Sequence, residues 1–119
     1  MDHFEPETAQ DPQAQRKLRG QLEQIDFTAF ASNREVIGRS LGHADAAKFQ
    51  HIAVAAACAR AQWVSEALSA SEASAVLTHE QVARLTHLRA SYEELTEVYE
   101  AMRRMVERGY LTYRASPTT

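Results

Sequence analysis

Apolar residues recur along most of this chain at spacings of three and four, the period of a helix surface rather than of a strand. The pattern is sharpest toward the C-terminus. There Leu85, Leu88, Tyr92, Leu95, Tyr99, Met102 and Val106 step alternately by three and four, a seven-residue repeat held over about three heptads. Thr78 followed by Gln81 makes a capping-box pair, with Leu77 and Val82 placed as a hydrophobic staple around it. Gly109 stands where a left-handed residue closes a helix. A rod over 79–108 follows, about 45 Å long, and a rod of that length has to lie along a partner.

The partner is upstream. Asp45 is a plausible N-cap, and residues 46–68 hold no helix breaker. At about 100° per residue, Phe49, Ile52, Ala56 and Trp63 gather on one side, and Val54, Ala57, Ala61, Val64 and Leu68 form a second stripe beside them. Lys48, His51, Gln62, Ser65 and Glu66 take what remains. An apolar arc wider than half the circumference predicts a central helix with two or more neighbours, and its alanines let a neighbour approach closely. Residues 69–77 read as the connector.

Nearer the N-terminus, Ala14, Leu18, Leu22, Ile25 and Ala29 make a narrow stripe on a helix expected over 13–30, weakened at Gly20. Ser32 and Glu35 form another capping-box pair, predicting a separate short helix with Val36, Ile37 and Leu41 that Gly42 ends. Strand signals are lacking: no period-2 alternation, and no Asn-Gly or Asp-Gly turn. The expected fold is all-α, an antiparallel helical bundle built on a long helical hairpin, with three long helices and one short one. Its single domain is expected over 13–113, between a disordered acidic tail at 1–12 and a flexible tail at 114–119. The short and medium helices cannot cover the apolar surface of the hairpin, so either the monomer closes as a four-helix bundle or two copies pair. Pairing as a homodimer with two-fold symmetry is the expectation.

Composition narrows the company such a bundle keeps. The chain has 119 residues, 45% of them hydrophobic and 24% charged, with a net charge of −3. That balance suits a folded domain and argues against a surface-wide grip on nucleic acid or on an anionic membrane. No basic-then-apolar leader opens the sequence. The apolar run that ends at Ala59 is far short of the roughly 20 residues a bilayer crossing needs. One cysteine, Cys58, cannot close a disulfide within the chain. A cytoplasmic protein is expected.

Candidate chemistry is sparse. None of the five histidines has another at the four-residue spacing that puts two imidazoles on one helix face. His51 and Cys58 are nearly aligned, so a site with His79 or His87 from the next helix is the conceivable metal or small-ligand alternative; no cofactor is expected. His87-Leu88-Arg89-Ala90-Ser91 is loosely similar to the histidine phosphotransfer motif, with the basic residue one place early and the glycine missing. Glu93, Glu94, Glu97 and Glu100 sit off the heptad stripe, where no cleft raises a carboxyl pKa for acid–base work. Glu80 to Arg84 and Glu100 to Arg104 read as surface pairs. No catalytic residue is assigned, and the protein is not expected to be an enzyme.

Leu77-Thr78-His79-Glu80-Gln81-Val82-Ala83-Arg84-Leu85, with Ser91 and Tyr92 beyond, resembles the helix-turn-helix of phage-repressor-type regulators over about 16 residues. The resemblance implies a transcriptional regulator with a recognition helix in the major groove, drawn from segment 77–95. His87 stands at the turn position usually held by glycine, and the heptad runs straight through it. A break in the helix near 86–90 is what this alternative requires. The principal expectation is a non-enzymatic protein–protein interaction module of regulatory, adaptor or chaperone type. Its interaction residues are Tyr92, Tyr99 and Met102 along the heptad edge and Arg103, Arg104, Arg108 and Tyr110 at the C-terminal end, where cations also offset the helix dipole.

Overall fold

The computed structural model describes residues 11–115. Three helices carry most of them: α1 (Pro12–Leu41), α2 (Ala46–Ala73) and α3 (His79–Glu107). Two short strands, β1 (Ala44–Asp45) and β2 (Tyr113–Arg114), pair in parallel. The terminal tails expected over 1–12 and 114–119 fall outside the described residues at 1–10 and 116–119. Within the described range, Asp11 caps α1 by accepting from the Gln13 amide, and Pro12 occupies its first turn, where a missing N–H costs nothing.

Helices α2 and α3 form the antiparallel hairpin. Its start and stop signals are the ones in the sequence. The Asp45 carboxylate accepts from the Lys48 amide at 2.9 Å. The Thr78–Gln81 box closes in both directions, at 2.8 and 3.1 Å. Gly109 adopts φ 80°, and the amides of Gly109 and Tyr110 donate back to the carbonyls of Val106 and Met105, the paired bonds of a Schellman ending. The heptad edge of α3 faces α2: Leu88 is buried, and the other six positions are half-buried. Ring contacts pin the two rods, with Phe49 edge-on to Tyr99 at 5.3 Å and Trp63 stacked on Tyr92 at 6.0 Å.

Two expectations about the rest of the chain are corrected. The helix expected over 13–30 and the short one after Ser32 are a single helix running to Leu41. A capping box acts only where the chain enters a helix from outside, and no glycine or proline interrupts residues 21–37. Side chains there bond backward instead: Thr28 donates to the Gln24 carbonyl and Asn33 to the Ala29 carbonyl. Helix α1 also does not lie along the hairpin, so among the described residues no closed bundle forms. Residues 15–30 are all exposed.

The ring contact and the hydrogen bond that tie α1 to the hairpin lie from Phe30 onward. Phe30 meets Tyr110 at 5.9 Å, and Arg34 donates to the Gly109 carbonyl at 2.6 Å. Past Gly42 (φ 77°), Ala44 is fully buried, and its amide donates to the Thr112 carbonyl at 2.8 Å. The Lys48 ammonium closes the joint by donating to the carbonyls of Leu41 and His43. The result is flat and open, 71 × 58 × 20 Å with a radius of gyration of 24.0 Å; a compact chain of this length has about 13.5 Å.

Candidate interaction groove

Because α1 stands away, the second stripe of α2 has no neighbour. Val54, Ala57, Ala61, Val64 and Leu68 are all exposed, where a helix with a neighbour on each side was expected. Beside them α3 contributes Tyr92, Thr96 and Tyr99, and together the two helices enclose an open groove of about 670 Å³. Its floor is shallow because alanine dominates α2 here: Ala53, Ala56, Ala57 and Ala61 all line it. Arg60 is its one charged residue, and that guanidinium lies over the Tyr92 ring at 5.0 Å, an arrangement that keeps a cation content on an apolar surface.

The interaction residues expected from sequence fall into two groups. Tyr92 and Tyr99 line the groove while also bracing the hairpin through Trp63 and Phe49. Met102 is half-buried between the rods and is not among the groove's lining residues. Arg103, Arg104 and Arg108 are exposed at the far end. Arg103 borders a second hollow of about 520 Å³ with Phe49, Tyr99 and Tyr113. Tyr110 is half-buried against Phe30, and Leu111 beyond it is 3% exposed, so this tyrosine closes the helix end and anchors α1. Composition gave no hint of the groove's other half. Val64 and the alanines of α2 carry the same signal as the buried face, and only the position of α1 decides which of them stay open.

The other candidate chemistries find no geometry to support them. Helix α3 is continuous from His79 to Glu107, so the break near 86–90 demanded by the repressor-type resemblance does not occur. His51, His87 and Cys58 are exposed, and among the described residues no three His, Cys, Asp or Glu side chains gather as metal ligands would. The glutamates of α3 sit on its open side, and Glu93 pairs loosely with Arg89 at 3.9 Å. Among the described residues, Asp45 is the one whose carboxyl is held below its usual range. The Lys48 amide is the main cause, and the nearby His43 imidazole, 3.4 Å away, and the Lys48 charge add to it. That is a helix cap, not a reactive carboxylate. Among the described residues no helix is long and apolar enough to cross a membrane. Set against known proteins, the chain matches no family profile, no curated protein and no solved structure.

Proposed function

We propose that this chain is a non-enzymatic helical interaction module of the cytoplasm, regulatory, adaptor or chaperone-like, that works by packing helix against helix and is itself dimeric. What carries this is one observation: a 30-residue helix with exposed Leu18, Leu22, Ile25 and Val36 stands beside a hairpin with an open apolar groove. Soluble monomers rarely leave contiguous apolar surfaces of that kind uncovered, and those that do use them to bind other proteins. Supporting it, the groove is lined by tyrosines and valine, with a single cation. Aromatic anchors at the centre of a patch are what interface hot spots favour.

A photo-activatable cross-linking residue placed at Ala57, within the groove, tests this in the native host. Illumination is expected to join the chain to another polypeptide, whether a second copy or a different protein. The same residue placed at Glu94, on the open side of α3, is expected to give little. Equal or absent cross-linking at the two positions would remove the groove as an interaction surface.

A further inference from the structure

We infer that the occupant of the groove is the N-terminal helix of a second copy, so that two chains exchange their α1 arms and each arm lies in the other chain's hairpin. This rests on the interaction function proposed above and names its partner. The two open surfaces are matched in period. On α1 the exposed positions Leu18, Leu22, Ile25, Ala29, Ser32 and Val36 step by four and three; on α2 the open stripe from Val54 to Leu68 steps by three and four. Both are heptad edges, the pattern by which helices pack side by side. They are also matched in size. The arm offers leucine and isoleucine, and the groove offers a floor of alanines, so large side chains meet small ones. Neither stripe carries a charge of its own, and the Arg60 guanidinium that borders the groove is already engaged on the Tyr92 ring, so a strongly charged partner gains little there.

An arm cannot reach its own groove as the chain stands. The contacts of Phe30 with Tyr110 and of Arg34 with the Gly109 carbonyl hold the root of α1 against the end of the hairpin. The buried Ala44 joint fixes the short link to α2. Of the ways two copies could meet, pairing arm with arm leaves both grooves bare, and pairing groove with groove leaves both arms bare. Exchange covers all four surfaces with one two-fold axis.

The area at stake is of the order a stable pair needs. The chain exposes 9421 Å², where a compact monomer of its mass exposes about 6,500 Å². Even counted as fully extended, the terminal residues outside the described range would supply roughly 2,200 Å² of the difference. The remainder is about 700 Å², close to the roughly 800 Å² each partner gives to an interface of standard size.

Light scattering after size exclusion tests the exchange on the purified full chain at micromolar concentration. The expected mass is twice the 13.3 kDa of one chain. The arm variant Leu22→Glu/Ile25→Glu and the groove variant Ala57→Glu/Ala61→Glu change only exposed positions, and each alone is expected to run as a helical monomer. Mixed in equal amounts they are expected to regain a dimer, because one intact arm then meets one intact groove. A dimer of the arm variant alone would mean that grooves pair; a dimer of the groove variant alone would mean that arms pair; either result overturns the exchange. A wild-type monomer overturns it too, while a foreign polypeptide captured at Ala57 in the host would leave the interaction function standing. Hydrogen exchange of the wild type needs no variant: protection over 15–29 and 53–64 is expected to rise together with protein concentration. Protection that ignores concentration, or rises over one segment alone, contradicts the exchange.

Discussion

Asp45 shows how much one side chain does at the joint between α1 and α2. It caps α2 through the Lys48 amide, lies 3.4 Å from His43, and shares its neighbourhood with the Lys48 ammonium that closes the carbonyls before it. Its carboxyl is held below the ordinary value of 3.8. A group whose folded pKa is depressed contributes stability that is present above the unfolded pKa and is lost as pH falls through the folded one. Asp45→Ala is therefore expected to melt below the wild type at neutral pH, by circular dichroism, and the gap should narrow once the pH drops beneath the usual carboxylate range. A gap independent of pH would mean that the charge contributes nothing. At this scale the sequence was a good guide to the caps of the hairpin and a poor one to ion pairs. Asp45, Thr78 and Gln81 hold the positions their spacing implies, because a cap needs only neighbours along the chain. Arg84, paired on paper with Glu80, reaches across the hairpin to Glu66 at 3.2 Å instead. Which of two carboxylates an exposed arginine meets depends on the facing helix, and a one-dimensional pattern does not contain it.

Among the elements, the hairpin was legible and the N-terminal helix was not. A strict heptad from Leu85 to Val106 demands a facing rod, and α2 supplies it. Gly109 was identifiable as the stop because few residues tolerate its left-handed conformation. A β-carbon added there would also sit 3.4 Å from the Phe30 ring. Gly109→Ala is thus expected to destabilise the hairpin by about 1 kcal/mol through the left-handed backbone alone, with a urea midpoint shifted down and an unchanged slope. No measurable shift would argue that the Schellman ending is dispensable. The N-terminal region misled for a different reason. Ser32 and Glu35 carry the letters of a cap inside a run with no glycine or proline from 21 to 37, and an isolated signal does not stop a helix when nothing forces the chain out of it. The two-residue ladder of Ala44 with Tyr113 had no alternating pattern to announce it. It exists because the joint and the tail are brought together by the fold.

Over the whole molecule, the sequence indicated the right quantity of apolar surface and the wrong place for it. The two stripes of α2 were read as a central helix with two or more neighbours, and only one of them is covered, since periodicity says which faces want cover and not which chain provides it. The candidate site was legible only to that extent: Tyr92 and Tyr99 were identified on the heptad edge, whereas the groove they border comes from the position of α1. If copies associate through it, stability depends on mass action. The melting temperature by scanning calorimetry is then expected to climb with protein concentration, by a few degrees per tenfold step for each roughly 1 kcal/mol gained in a domain of this size. A constant melting temperature would mark a self-sufficient monomer.

The one-ended attachment of α1 also has a mechanical meaning. From Phe30 outward about 27 Å of helix extends to Pro12, so a change of about 10° at the root sweeps the tip sideways through about 5 Å. Small substitutions at Gly42, Ala44 or Tyr110, far from any stripe, would act as lever adjustments, swinging Leu18 sideways by about 3 Å and Leu22 by about 2 Å against whatever they touch.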